Sequence, residues 1–374
     1  MSKLKVLFVL NTTRVTSIPV EQANSIGKKC DVTIMSLFES QECAEEHLKT
    51  TGKNCKVIGC NYSKNKIKGL LRYRNVIKTG NYDIIHTHHT LSGMLARLIA
   101  FNKGRSKVVH TVHANHHSYS FFQNLVIGMT MNKCDAVTFN SNSSQIGLYD
   151  WQKKRIKRVY QETIYNGIDT ERIRLSSNSF FEQTKKKFNI KDDDFIFIQV
   201  GRLIDVKDPL LSLHAFNKCV LDTSKKIKYI YIGDGYLREK IEQVVKEYRL
   251  DDKVFITGVI ERENVYSIMN NVDALVVTSK YEGFCNALFE GMAAGDRLII
   301  PQIPVFEETI PQDDDIVRFP SGNSDDLAER MKQVLFDSWN NSQKEKWNKF
   351  VYDRFGIDSI SNRYVSLYEK ILRS

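Results

Sequence analysis

Two carboxylates, Glu282 and Glu290, stand in the stretch Tyr281 to Gly295, YEGFCNALFEGMAAG. Just upstream, Val272 to Thr278 (VDALVVT) is an apolar, β-branched run of the length expected for a buried parallel strand. Downstream, Leu298 to Ile300 is another apolar run. Between them Gly283 loosens the backbone, Asn286 is placed to cap, and Ala287 to Ala294 are mostly good helix formers that stop at Gly295. The pattern predicts a strand, a tight loop and a helix that starts at the carboxyl edge of a sheet. Such a helix start presents N–H groups with no partner inside the helix and a partial positive charge, which suits a diphosphate. Glu282 in the loop and Glu290 about one turn into the helix would repel phosphate, so hydroxyls are their natural partners: a sugar for one, a ribose for the other. A nucleotide-sugar site is the expectation. The plainer alternative is a solvated Glu282 and a Glu290 tucked against a helix neighbour.

The rest of the chain has to position such a site. With 374 residues, 42% hydrophobic and 26% charged, there is material for two ordinary globular domains with a core in each. No stretch approaches the ~18 apolar residues of a membrane span. The start, MSKLKVLFVLN, is charged and then strand-like, without the apolar core and cleavage site of a signal peptide. Seven cysteines, scattered and without a CxxC pair, fit reduced cytosolic thiols better than a disulfide framework or a zinc site. Residues 1–160 carry 24 Lys+Arg against 9 Asp+Glu, whereas 161–374 carry 30 against 35. The basic half has no nucleic-acid motif, so an anionic membrane surface or a phosphate-linked acceptor fits it better than nucleic acid.

Taken in order, Lys5 to Leu10, Asp31 to Leu37 and Cys55 to Ile58 read as strands, and Glu21 to Lys28 as a helix. The loop after the first strand, Asn11 to Pro19, places Thr12, Thr13 and Arg14 where α/β proteins bind ligands, or forms a plain surface turn. Lys64 to Lys78 alternates Lys and Arg with Ile67, Leu70, Leu71, Tyr73, Val76 and Ile77, an amphipathic basic helix. It either lies on a membrane interface or packs on its own sheet with a solvated basic face. Asp83 to Ile85 runs into His86-Thr87-His88-His89, and Lys107 to Val112 ends in His113 within HTVHANHH, so these histidines should line one sheet edge. No carboxylate or thiol accompanies them at ligand spacing, which speaks against zinc. His86 and His117 are expected to be structural or solvated. Asn115 to Met131 reads as a helix against the sheet with an exposed aromatic tip, and Asp135 to Asn140 as a strand. Phe195 to Val200 opens the second domain; Tyr229 to Ile232 and Val254 to Thr257 are further strands. The acid runs Asp192–Asp194 and Asp313–Asp315 look like turns or linkers, and no metal is predicted.

The string EGFxNxLxEGMAxG around Glu282-x7-Glu290 resembles the signature of retaining glycosyltransferases of the GT-B fold, most closely the family 4 type. The bare E-x7-E spacing occurs often by chance; the whole string in its strand–loop–helix setting is specific. Gly201-Arg202-Leu203 with Lys207-Asp208-Pro209 is similar to the family's GRL…K motif, and Gly233-Asp234-Gly235 and Gly258 to its strand-end turns. Thr163 to Asp169 (TIYNGID) matches its domain junction. The resemblance is strong over 195–310, moderate over 80–170 and weak over 1–79. Three departures stand out: NTTRVTSIP replaces a common Gly-Gly loop, Cys285 a frequent Pro, and Asp296-Arg297 a position where relatives carry Pro.

The resemblance implies an α/β protein of two Rossmann-like domains facing a central cleft. These are an acceptor-binding domain at 1–168, a nucleotide-sugar domain at 169–350, and a C-terminal helix at 351–374 crossing back to the first. It implies a retaining transfer of a hexose or N-acetylhexosamine from an NDP-sugar, UDP favoured, to a saccharide acceptor, lipid-linked, in polysaccharide synthesis. The setting would be cytoplasmic, with a peripheral position at the membrane's inner face, and no cofactor or metal. Arg202 and Lys207 would hold the departing diphosphate, Glu282 the sugar and Glu290 the ribose, with His113 at the donor sugar's 6-hydroxyl. Gly201, Gly233, Gly258, Gly283, Phe284, Cys285, Asn286, Ala287 and Leu288 would complete the donor site; Thr12, Thr13, Arg14, His88 and His89 would meet the acceptor. A sugar-nucleotide epimerase or a non-catalytic subunit of the same fold remains as the alternative.

Overall fold

The computed structural model describes residues 3–14, 18–51, 54–101, 106–113 and 120–374. The chain forms two compact units, one of Met1–Gly167 with Ile357–Ser374 and the other of Ile168–Gly356.

In the first unit β1 (Lys5–Leu10), α1 (Ile18–Ile26), β2 (Asp31–Ser36), α2 (Gln41–Thr51) and β3 (Cys55–Gly59) build one half of a parallel sheet. The helix α3 (Lys66–Thr79) then leads to β4 (Ile84–Thr87), α4 (Thr90–Phe101), β5 (Lys107–Val112), α5 (Phe121–Met131) and β6 (Ala136–Phe139). Two short helices, α6 (Asn142–Ile146) and α7 (Asp150–Arg155), precede the edge strand β7 (Tyr160–Thr163). The strand order is β3-β2-β1-β4-β5-β6-β7, so the order reverses between β1 and β4. Strands buried on both faces explain the continuous apolar runs, such as KVLFVL with five of six residues buried. One face of the sheet packs on α1 through Val20, Ala23 and Ile26; the other packs on α3, α4 and α5 through Tyr73, Ile77, Ala96, Ala100, Ile127 and Met131.

The second unit runs α8 (Thr170–Arg174), α9 (Ser179–Lys187), β8 (Phe195–Val200), α10 (Pro209–Leu221), β9 (Ile227–Ile232), α11 (Arg238–Glu247), β10 (Val254–Ile256) and α12 (Arg262–Met269). It continues with β11 (Ala274–Val276), α13 (Asn286–Ala294), β12 (Arg297–Gln302), α14 (Pro304–Thr309), β13 (Ile316–Pro320), α15 (Ser324–Phe336) and α16 (Asn341–Phe355). Its sheet has the order β10-β9-β8-β11-β12-β13, again with a reversal, between β8 and β11. Each unit is thus Rossmann-like.

The periodic segment expected as a single crossing helix over 351–374 is two helices. α16 ends at Phe355, Gly356 turns the chain at φ −53° and ψ 132°, and α17 (Ile357–Arg373) returns to the first unit. There Ile360, Tyr364, Leu367, Tyr368 and Ile371 join α1 on the first sheet.

Candidate functional site

Ligands of open α/β sheets bind beyond the strands' carboxyl ends where the strand order reverses. In the second unit that point lies between the loops after β8 and β11, and the sequence motifs fall on these two loops. They are stitched together. Thr278 donates its hydroxyl to the carbonyls of Lys207 (2.7 Å) and Asp208 (2.9 Å), Gln199 donates to the Lys207 carbonyl, and the Lys280 N–H donates to Val206. The result brings the Lys207 ammonium onto the Glu282 carboxylate as an ion pair, with Ser279 Oγ donating to the same Oε1 at 2.7 Å. Burial works against charge on Lys207, but Glu282 beside it outweighs that and holds the ammonium above its ordinary range. Arg202, on the same loop, is exposed and forms no ion pair among the described residues.

The turn glycines are there for backbone reasons. Gly233, at φ +140°, pairs with Gly258 in an antiparallel bridge. A Cβ on Gly233 would lie 2.0 Å from the Gly201 carbonyl oxygen. At Gly233 backbone packs on backbone and only glycine fits, whereas at Gly258 (φ +76°) and Gly201 (φ +146°) it is the backbone conformation that favours glycine.

The start of α13 corrects the sequence reading. Asn286 does not cap; it is the first helical residue, and Cys285 occupies the cap in the left-handed region at φ 68° without a side-chain cap bond. Burial, reinforced by Glu282, pushes the Cys285 thiol up. Gly295 ends the helix at φ 93°, as its sequence position predicts. Two expected donor contacts belong to the core: Phe284 stacks on Phe289 with centroids 4.4 Å apart and meets Phe355, and Leu288 is fully buried. Gly283 is buried, while Asn286 and Ala287 are partly exposed at the helix start.

Glu290 is tucked against a neighbouring helix, α12, as the plainer alternative expects. It is 5% exposed and ion-paired with Arg262, which is 6% exposed. Tyr266 Oη donates to the same Glu290 Oε1 at 3.3 Å, and Arg262 Nε donates to Tyr266 Oη at 2.7 Å. The Arg262 and Tyr266 bonds to Glu290 both fall on one carboxylate oxygen, Oε1. Sequence reasoning missed Arg262; an arginine at a helix start four residues past Gly258 was the available signal.

In the first unit the order reversal lies between β1 and β4, where Asn11 and the histidines meet. Asn11 N–H donates to His89 Nδ1 at 2.8 Å, and Asn11 Oδ1 accepts from Ser92 N–H. His88 Nδ1 and His113 Nε2 are 2.9 Å apart. Burial pushes His113 down to about 3 and His89 to about 4, so both are neutral imidazoles at neutral pH. His86 is structural, as expected, held between Tyr368 Oη and Thr111 Oγ1 at 2.7 Å each. His117 lies outside the described residues. Thr13 is a correction: it is fully buried, and its N–H and hydroxyl both donate to Glu39 Oε2 (2.7 and 2.8 Å), so it has no surface for an acceptor. Thr12 is partly exposed and Arg14 exposed.

The acid runs hold lysines: Asp192 pairs with Lys185, Asp193 with Lys226, and Asp313 and Asp315 with Lys346. Among the described residues one constellation does bring metal-ligand atoms together, Glu39, Cys43 and His47, within 4.8 Å of one another. Glu39 there is already engaged by Thr13, Ser36 and His47.

Two Rossmann-like units, each with polar groups gathered at its switch point, define a protein of the GT-B fold. HepE of Anabaena in complex with UDP and glucose superposes with a TM-score of 0.80 over 98% of this chain and 100% of that chain, at 17% identity. The family descriptions Glycosyltransferase Family 4 and Glycosyl transferases group 1 match residues 21–172 and 180–354. The chain belongs to the GT-B glycosyltransferases of the family 4 type and is a glycosyltransferase. It is similar to the N-acetyl-alpha-D-glucosaminyl L-malate synthase of Bacillus anthracis (26% identical, covering 80% of this chain and 77% of the relative). It is also similar to the UDP-Gal:alpha-D-GlcNAc-diphosphoundecaprenol alpha-1,3-galactosyltransferase of Escherichia coli (23% identical, 80% of each chain).

Proposed function

We propose that this glycosyltransferase moves a hexose or N-acetylhexosamine from a UDP-sugar to a hydroxyl of a lipid-linked saccharide in cell-surface polysaccharide synthesis, with retention at the anomeric carbon. The observation that carries the donor reading is the Lys207–Glu282 ion pair, with Arg202 and the Cys285 cap of α13 both close enough to act on the Lys207 charge. A departing nucleoside diphosphate gathers negative charge, which the Arg202 fork, the Lys207 point charge and the helix start would stabilise. Glu282 accepts from hydroxyls of the sugar. Glu290, with Oε1 held by Arg262 and Tyr266, accepts from the ribose hydroxyls. His113 and His89, being neutral, serve as hydrogen-bond partners for saccharide hydroxyls.

In the retaining scheme the acceptor oxygen bonds the anomeric carbon on the face from which the diphosphate leaves. The carbon–oxygen bond to the diphosphate breaks, and the acceptor's proton passes to the departing phosphate oxygen, so no protein base is required. The cations supply the charge stabilisation that a divalent ion provides elsewhere, so transfer proceeds in the presence of EDTA. The lipid-linked acceptor and the UDP donor rest on the name of the E. coli relative, and UDP also on the neighbouring HepE complex.

The test is thermal shift against UDP, GDP and their sugars, with Arg202→Ala and Glu290→Gln alongside. A ligand at a hundred times its dissociation constant stabilises the native state by roughly 2.7 kcal/mol. A shift with uridine nucleotides only, weakened in both variants, is expected. A guanosine preference overturns the donor assignment, and an inverted anomeric product overturns the retaining scheme.

A further inference from the structure

We propose that Glu39, Cys43 and His47 of the first unit bind a structural zinc ion that clasps the start of α2 to the end of β2 and the loop after β1. Their ligand atoms lie within 4.8 Å of one another. They belong to none of the loops that carry Arg202, Lys207, Glu282 or Glu290, so the site stands apart from the donor reading. The expectation of no metal weighed the histidines of the sheet edge and the acid runs, and this triad lies outside both.

The spacing has a local cause. Ser40 stands before α2, and its Oγ accepts from the Cys43 N–H at 3.2 Å. Cys43 and His47, four residues apart on α2, project from the same face of successive turns. Glu39 comes four residues before Cys43, in the turn between β2 and α2. Its carboxylate is firmly held: Oε2 accepts from Thr13 N–H, Thr13 Oγ1 and Ser36 Oγ at 2.7, 2.8 and 2.7 Å. Three donors on one oxygen fix the orientation of the group, and Oε1 meets His47 Nδ1 at 3.0 Å. Metal sites orient their carboxylate ligands by such outer hydrogen bonds. At a tetrahedral zinc, with bonds of about 2.0 Å to oxygen and nitrogen and about 2.3 Å to sulfur, ligand atoms stand roughly 3.3–3.6 Å apart. Glu39 and His47 are already near that spacing, and the triad has to tighten by no more than ~1.5 Å to reach it.

The donor set selects the ion. A thiolate, an imidazole and one carboxylate oxygen suit a borderline-soft cation such as zinc, whereas magnesium and calcium take oxygen ligands. Two anionic ligands and a neutral imidazole balance a doubly charged ion. No net charge is then added to a site where the Glu39 side chain is 8% exposed. On binding, the S–H bond of Cys43 breaks, its proton goes to solvent, and the sulfur electron pair goes to the zinc. Three protein ligands leave the fourth position to water. The simpler arrangement is a Glu39–His47 hydrogen bond beside a bystander thiol. It uses the carboxylate and the imidazole and gives Cys43 no part, so Cys43 decides between the two.

The experiment is metal titration of the full chain, untagged and freed of metal with a chelator, with zinc for affinity and Co(II) as its spectroscopic stand-in. Wild type should bind one zinc per chain, and cobalt should give a thiolate-to-metal charge-transfer band. Cys43→Ser should abolish that band. Cys43→Ser and His47→Gln should each weaken zinc affinity by at least the ~10–100-fold that loss of an outer partner costs. Cys55→Ser, the same change at a partly buried thiol outside the triad, should alter neither band nor affinity. Zinc should raise the melting temperature of wild type and not that of Cys43→Ser, while the metal-free melting temperatures report whether each variant folds. A wild-type chain that binds no zinc, a band that survives Cys43→Ser, equal loss in Cys55→Ser, or displacement of zinc by equimolar magnesium would overturn the proposal.

Discussion

Lys207 and Glu282 form an ion pair that joins the loop after β8 to the loop after β11, across the point where the strand order of the second sheet reverses. The pair keeps a cation and a carboxylate side by side, which matches a ligand that carries a diphosphate next to sugar hydroxyls. Glu282→Gln removes the charge and keeps the shape. We expect the UDP thermal shift to survive, the extra shift from a UDP-sugar to disappear, and kcat to fall by roughly 10²–10³. A UDP shift that vanishes along with the sugar increment would place Glu282 on the nucleotide instead.

Glu290 and Arg262 are both nearly inaccessible, so neither tolerates loss of the other. Arg262→Met leaves a buried carboxylate without its partner and should destabilise by about 3–5 kcal/mol in urea unfolding. Arg262→Met/Glu290→Leu removes both charges and should recover much of that stability while abolishing the uridine nucleotide shift. Equal losses in the single and double variants would show that packing, not charge, dominates there.

Stability should fall in mild acid because of the histidines of the first unit. Burial holds His86, His88 and His110 well below their ordinary values, with neighbouring histidines, and Arg97 beside His110, adding to it. The unfolded chain titrates at about 6.5, so below that pH it takes up protons that the native state refuses. Stability is thus fully present above about pH 6.5 and is lost as pH falls toward the depressed folded values. Each such histidine contributes a slope of about 1.4 kcal/mol per pH unit. Urea midpoints between pH 7 and 5 check this; a flat profile would contradict the buried, neutral assignment.

Cys285 holds a left-handed backbone conformation that suits glycine. Cys285→Gly should relieve that strain and, after the greater flexibility it gives the unfolded chain, stabilise by about 0.5–1 kcal/mol. Equilibrium unfolding measures it, and a destabilised variant would mean that the packing of the thiol outweighs the strain.

The sheet strands were legible because parallel strands buried on both faces must be continuous apolar runs, and KVLFVL and FIFIQV are such runs. The edge strands β7 and β13 were not, since YQET is half-buried and mixes polar with apolar residues, and IVRFP is broken by Arg318 and ends on a proline. α2 carries three glutamates and a low apolar content, so its sequence, QECAEEHLKTT, gave no strong periodic signal. The break at Gly356 hid inside a segment whose aromatic spacing continues across it. At the site, residue types and loops were readable, but partners were not. That Glu290 would meet Arg262, and Thr13 would turn inward to Glu39, depends on which loops the sheet order makes neighbours. No local spacing encodes that.

The return of α17 to the first unit has a consequence for how the protein is made. The side chains of Ile360, Tyr364, Leu367 and Tyr368 cover the first sheet, yet the ribosome delivers them only after the whole of Ile168–Gly356. At ~5–20 residues per second, the early sheet waits roughly 10–40 s with that flank bare. During synthesis the second unit can therefore finish folding before the first, and a nascent chain that stalls after Gly356 would present an open apolar flank for chaperones to recognise.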